Sequence, residues 1–313
     1  MTYTIEKVTT LIGARRYGDN DTNIGFILTD SRSLCFPEET LFFALKSERN
    51  DGHNYIPELY RRGVKNFVVT NVPKGYASDY PGANFLKVVN TLEALQRLAE
   101  RHRDEFNIPI VGITGSNGKT MVKEWLYQLL SPSMFVTRSP RSYNSQIGVP
   151  LSVWLMNEQT QVGVFEAGIS MPGEMLALRD IIQPTIAVLT NLGAAHQENF
   201  SSLEEKCREK LILFHDAETV IYDGDDEVIN KVIAEYPDYK GEKLFWSLKN
   251  PEAPFYVKNI EKQQSVSVIT YIYKGEEDCF SIPFIDDASV QNAIISAVVA
   301  VKLGLSAEDI DKR

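Results

Sequence analysis

The hexad Gly115-Ser116-Asn117-Gly118-Lys119-Thr120 stands between an apolar, β-branched run, "IPIVGIT", and a segment with the spacing of an amphipathic helix, "MVKEWLYQLL". That placement suits phosphate chemistry. Glycines let backbone N–H groups close on phosphate oxygens, a helix N-terminus offers positive dipole, and Lys119 adds a full charge. The Thr120 hydroxyl is then available as a Mg²⁺ ligand. The long form of such a loop carries Gly five residues before Gly118, where this chain has Ile113, so the match is to the shorter GxxGKT pattern. An ordinary strand–turn–helix with a solvated lysine is the competing reading.

Three further residues offer hard-cation chemistry. Glu166 ends the run "VGVFEAG", and His196 follows the run "TIAVLTN" in "NLGAAHQENF". Ligands of open parallel sheets bind beyond the carboxyl ends of the strands, where both side chains project. Taken singly, such a Glu is more often solvated and such a His more often structural. The third is Lys210, in "SSLEEKCREKLILFHD". This segment reads as a helix opened by a capping box of Ser202 and Glu205. Leu203, Cys207, Leu211 and Phe214 form its apolar stripe, and Lys210 falls inside that stripe. Lys210 is then either a snorkelling lysine or a buried amine of depressed pKa.

The elements that must position these groups form two regions. Before residue 91, β-like runs at 24–30 and 66–70 flank a helix stopped by Gly63, and residues 91–106 have the helical period of a connector. After Pro109, apolar strands at 110–114, 162–168, 185–191 and 219–226 alternate with helical segments. Continuous apolar strands separated by helices indicate an α/β fold, a mostly parallel sheet covered on both faces. "SVSVITYIYKG" alternates and is expected as an antiparallel edge or hairpin, and 288–304 as a buried helix stopped by Gly304. The expected domains are 1–90, a connector at 91–107, and 108–313.

Composition bounds the function. The 313 residues suit two domains, with 43% hydrophobic and 24% charged residues. No apolar run reaches the length of a membrane span, and the N-terminus lacks a signal-peptide pattern. Cys35, Cys207 and Cys279 are odd in number and far apart, which argues against a disulfide framework and fits a reducing cytoplasm. A net charge of −10 disfavours broad nucleic-acid binding while leaving room for a local anion site.

Together the motifs resemble the Mur ligases, the ATP-dependent amide-forming enzymes of peptidoglycan synthesis. "TGSNGKT" is similar to the family's ATP loop, "EAGISMPGEM" to the segment with a Mg²⁺-binding glutamate, and "NLGAAHQENFSSLEEKCREK" to the stretch with a metal-ligating histidine and a CO₂-modified lysine. The resemblance implies Mg²⁺ at Thr120, Glu166, His196 and a carbamylated Lys210. It implies ATP at 115–120 and at Asn292, the latter from "VQNAIISA", with Lys119, His196 and Lys210 catalytic. "TDSRS" resembles the uridine-nucleotide-binding region and implies substrate contacts at Asp30, Ser31 and Arg32. "SYNSQIGVPLS" implies one at Asn144. The branch it resembles most joins D-alanyl-D-alanine to UDP-N-acetylmuramoyl-tripeptide through an acyl phosphate. Another Mur-type or folylpolyglutamate-type ligase, or a nucleotide-binding unit without turnover, stays open. Met121, Ser145 and Ser47 depart from common family residues without removing a ligand. The resemblance also implies a third, C-terminal domain beyond Arg313, and hence a longer parent protein in the cytoplasm.

Overall fold

The computed structural model describes residues 1–195, 197–236 and 239–313. These residues form two compact units, Met1–Phe106 and Asn107–Arg313.

In the first unit, strands β1 (Arg15–Tyr17), β2 (Phe26–Leu28), β3 (Thr40–Phe43), β4 (Asn66–Val69) and β5 (Asn84–Lys87) form one sheet in the order β1-β5-β4-β3-β2. All its pairings are parallel except β1 with β5. Helices α1 (Ile5–Ile12), α2 (Ile56–Arg61) and α3 (Thr91–Arg103) accompany it. Phe42, Phe67 and Phe85 fill the core, with the last two rings stacked at 5.3 Å. The residues read as a connector form α3, whose Asn90 cap accepts from the amides of Leu92 and Glu93. Its buried Leu95, Leu98 and Ala99 repeat at helical spacing, and the helix packs against α1.

The second unit opens with β6 (Ile110–Thr114) and α4 (Lys119–Leu130). Then come β7 (Val136–Arg138), α5 (Gly148–Val153), β8 (Val162–Glu166), α6 (Met175–Ile182) and β9 (Ile186–Leu189). They are followed by α7 (Leu203–Leu211), β10 (Thr219–Ile221), α8 (Glu227–Ile233) and β11 (Glu242–Lys243). The six strands form a wholly parallel sheet in the order β11-β10-β9-β6-β8-β7. Every residue of β6 and β8 is buried, as a sheet covered on both faces requires.

A second sheet follows: β12 (Trp246–Ser247), β13 (Phe255–Gln263), β14 (Val266–Tyr273) and β15 (Glu276–Ile282), in that order. The alternating run at 265–275 becomes β14, paired antiparallel on both sides. Helix α9 (Asp287–Lys302) buries ten of its residues and lies among α4, both sheets' inner faces and α10 (Ala307–Lys312). Burial on nearly all sides explains why its sequence is apolar all round. Helix α10 packs on β15, where Asp311 Oδ1 accepts from the Ser281 amide at 2.8 Å and its hydroxyl at 2.9 Å.

Candidate active site

Strand β6 is central in its sheet, between β9 and β8, so the loops leaving all three emerge side by side at one edge. The loop after β6 is Gly115–Gly118. Gly115 has φ 144° and Gly118 φ 81°, and a Cβ at Gly115 would lie 1.9 Å from Thr190 Oγ1. Gly118 opens α4 with no side chain capping it, and the first turn carries no acidic residue. An uncapped twelve-residue helix with Lys119 and Thr120 in its first turn has the free amides, dipole and charge that could receive an anion. Ile113, where the longer motif wants glycine, is a fully buried core residue of β6, so the tight bend begins only at Gly115.

The segment after β9 holds the loop from one side. Ser116 N–H donates to Asn191 O at 3.0 Å, Asn117 N–H to Asn191 Oδ1 at 3.0 Å, and Gly193 N–H to Ser116 Oγ at 2.9 Å. From the other side Glu166, the last residue of β8, is fully buried. Its Oε2 accepts from Thr120 Oγ1 at 3.0 Å and from Asn144 Nδ2 at 3.4 Å, while its amide donates to Ser139 Oγ at 3.1 Å. Two hard oxygens 3.0 Å apart, one of them anionic, fit a small divalent cation. Among the described residues no group of three or more His, Cys, Asp or Glu gathers as a metal cage. A cation here would complete its shell with phosphate oxygens and water, the usual habit of Mg²⁺.

Lysines crowd the loop. Lys119 Nζ folds back to donate to Gly115 O at 2.7 Å, and Lys210 Nζ donates to the same oxygen at 3.3 Å. Lys210 is only 3% exposed and does not snorkel. Burial, then the neighbouring charges of Lys119 and Lys206, push its amine down to about 7. Burial likewise lowers Lys119, partly opposed by Glu166. Ser202 Oγ caps α7 by accepting from the Glu205 amide at 3.0 Å. The expected reciprocal bond shifts by one residue: Glu205 Oε2 accepts from the Ser201 amide and hydroxyl, both at 2.6 Å.

Asn292, in the first turns of α9, abuts the loop so closely that a Cβ on Gly118 would sit 2.4 Å from its Oδ1. Gly118–Thr120, Asn144, Glu166, Lys210 and Asn292 thus gather around one helix N-terminus. His196 lies outside the described residues. Asp30, Ser31 and Arg32 belong to the first unit. There Asp30 caps a short turn and grips Arg32 Nη2 at 2.6 Å, which with the Arg32 amide holds its carboxyl down at about 2.

Three charged residues of the second unit, buried or partly buried, escaped the sequence reading. Lys123 reaches within 3.1 Å of Glu166 Oε1, and Lys206 donates to Gly193 O at 2.5 Å and to Ala195 O. Asp223, past β10, is pushed up to about 6 by burial, with Gln291 Nε2 at 3.4 Å. The spacing of Lys206 and Lys210, i and i+4, would have placed both on one helix face.

The profile of the Mur ligase middle domain matches residues 113–300. UDP-N-acetylmuramoyl-tripeptide–D-alanyl-D-alanine ligase of Bacillus subtilis is 29% identical over 298 residues, covering 93% of this chain and 61% of the relative. The ligase of the same name from Synechocystis is 38% identical over 176 residues, 56% of this chain and 38% of the relative. Among solved structures, MurF from Acinetobacter baumannii superposes with TM-score 0.89 at 24% identity, covering all of this chain and 67% of that one. MurF ligase from Thermotoga maritima in complex with ADP gives 0.79 at 24% identity, over 97% and 66% of the two chains. At that identity the superpositions speak for the fold. The chain spans about 61% of the length of the first of these relatives.

Proposed function

Because the chain belongs to the Mur ligase family, we propose that it carries the nucleotide- and substrate-binding part of an ATP-dependent amide ligase joining D-alanyl-D-alanine to UDP-N-acetylmuramoyl-tripeptide. The observation that supports this most is the gathering of Lys119, Thr120, Glu166, Asn144 and Lys210 at the ends of adjacent parallel strands. The Bacillus relative, aligned along 93% of the chain, carries that substrate in its name.

In this reading the amides at the start of α4 bind the triphosphate, and Lys119 leaves the Gly115 carbonyl to meet it. Phosphoryl transfer from ATP to the tripeptide's terminal carboxylate makes an acyl phosphate and releases ADP; the incoming amine then attacks the acyl carbon, expelling phosphate and losing a proton as the amide forms. Such transfer is driven mainly by positioning and fixed positive charge, the latter supplied here by Lys119 and the nearby Lys206. Thr120 and Glu166 would hold one Mg²⁺, and His196 with a carbamylated Lys210 a second. Bound there, the cations would neutralise phosphate oxygens. A buried amine with pKa near 7 is substantially neutral at physiological pH, the form that adds to CO₂ and sheds a proton. Asn144 orients the Glu166 carboxylate, Asn292 packs at the nucleotide end of the loop, and Asp30, Ser31 and Arg32 would contact the uridine nucleotide. The reading places the protein in the cytoplasm. No helix among the described residues is long and apolar enough to cross a membrane.

The test is phosphate release with ATP and Mg²⁺, with UDP-N-acetylmuramoyl-tripeptide and D-alanyl-D-alanine added singly and together. Release that needs both supports the ligase. Tight ATP-analogue binding without release favours the second reading, a nucleotide-binding unit, which the 61% span of the relative makes worth separating. No nucleotide binding at all sinks both.

A further inference from the structure

Lys123 lies one turn into α4, directly after the loop, and its side chain is fully buried. Its ammonium stands 3.1 Å from Glu166 Oε1 and 3.0 Å from Glu124 Oε1, and it also donates to the carbonyl of Arg141. Glu124 pairs in turn with Arg138, which stacks over the Tyr127 ring. Four alternating charges therefore run from a half-buried arginine to the carboxylate at the loop. Among the described residues no donor makes a hydrogen bond to the buried Glu166 Oε1, and the Lys123 ammonium faces it as an ion-pair partner. The other oxygen, Oε2, faces the Thr120 hydroxyl and Asn144. The two oxygens of one buried carboxylate are thus committed to opposite tasks.

We propose that Lys123 is a positioning residue that sets metal selectivity: by capping Glu166 Oε1 it restricts the carboxylate to one-oxygen coordination, favouring Mg²⁺ over Ca²⁺ at the loop. The physical basis is coordination geometry. Mg²⁺ demands near-ideal octahedral geometry and takes single carboxylate oxygens with phosphate and water. Ca²⁺ is larger, takes up to eight oxygens, and gains from carboxylates that chelate with both. A glutamate whose second oxygen faces a buried ammonium at 3.1 Å cannot swing to chelate without breaking that buried ion pair, and breaking a buried pair is costly. Lys123 also repels any dication, but repulsion alone weakens Mg²⁺ and Ca²⁺ alike. Selectivity is therefore the property that separates the geometric role from simple charge. The inference rests on the proposed cation site at Thr120 and Glu166.

The experiment measures the affinity of the chain for a non-hydrolysable ATP analogue at saturating Mg²⁺ and at saturating Ca²⁺. It compares the unsubstituted protein with Lys123→Gln, Lys123→Met and Glu166→Gln. In the unsubstituted chain the analogue binds more tightly with Mg²⁺, and Glu166→Gln removes the cation dependence. In the Lys123 variants the Mg²⁺-to-Ca²⁺ affinity ratio falls by about tenfold as the freed carboxylate chelates Ca²⁺. A ratio unchanged within about twofold, even if both affinities rise, overturns the inference while leaving the cation site intact. Cation dependence that survives Glu166→Gln removes the site itself, and the inference with it. Should the Lys123 variants fail to fold, a crystal structure of the unsubstituted chain with the analogue and Ca²⁺ decides. Glu166 bound through one oxygen, with Lys123 still at the other, supports the inference, and two-oxygen chelation with Lys123 displaced overturns it.

Discussion

At Gly118 the backbone takes φ 81° and has Asn292 pressed against the space a side chain would need. Gly118→Ala should therefore cost about 1–3 kcal/mol of stability and weaken ATP-analogue binding at least tenfold, measured by thermal melts and calorimetric titration. Lys210 gives a pH-dependent prediction. Its amine titrates at 10.5 when exposed and near 7 when folded, so the unfolded chain binds the extra proton between those values. The burden on stability is full below pH 7 and fades as pH rises towards 10.5. At about 1.4 kcal/mol per pH unit, the fall from 10.5 to about 7 is worth up to about 5 kcal/mol. Lys210→Met should accordingly stabilise the protein most at pH 6.5 and far less at pH 9.5, in buffer purged of CO₂. Equal gains at both pH values would contradict the buried-amine reading. The placement of Gly115, Lys119 and Thr120 in a turn between a strand and a helix was legible in the sequence, because local spacing fixes it. Lys123 and Lys206 were not, because their partners lie on other elements and only packing brings them within reach.

Helix α7 carries Lys206 and Lys210 to the loop, and its start depends on Ser202. Removing that cap in Ser202→Ala should cost about 1 kcal/mol. Because α7 aims both lysines, the same variant should also bind the ATP analogue more weakly; an unchanged affinity would mean that packing alone fixes the helix. On α4, Leu126 is wholly buried in the core against which α9 packs, and Leu126→Ala should cost roughly 2–5 kcal/mol in a denaturant melt. The strands of the parallel sheet could be read from their unbroken apolar runs. Strand β3 could not, since "TLFFAL" is too short and too uniformly apolar to distinguish strand from buried helix. Strand β13 has a register shift between Val257 and Asn259, which breaks the alternation that would have announced it. Helix α3 was legible as a helix, but its packing against α1 depends on distant residues such as Tyr3, which meets His102 at 2.8 Å.

The division at residues 106 and 107 leaves each unit with a hydrophobic cluster of its own. Residues 107–313 expressed alone should melt cooperatively and bind the ATP analogue within about threefold of the full chain. A broad, uncooperative melt would show that the second unit needs the first. The α/β class followed from composition and strand rhythm. The strand order did not, because placing β6 between β9 and β8 requires crossovers that no local pattern encodes. Helix α10 has a consequence for crowded solutions. The outer margin of β15 would otherwise offer free amides to another molecule's strand, the route by which sheets polymerise, and Asp311 occupies one of them. Deleting α10 should raise light scattering at high protein concentration, measured against the full chain, while leaving any affinity for the ATP analogue within about threefold.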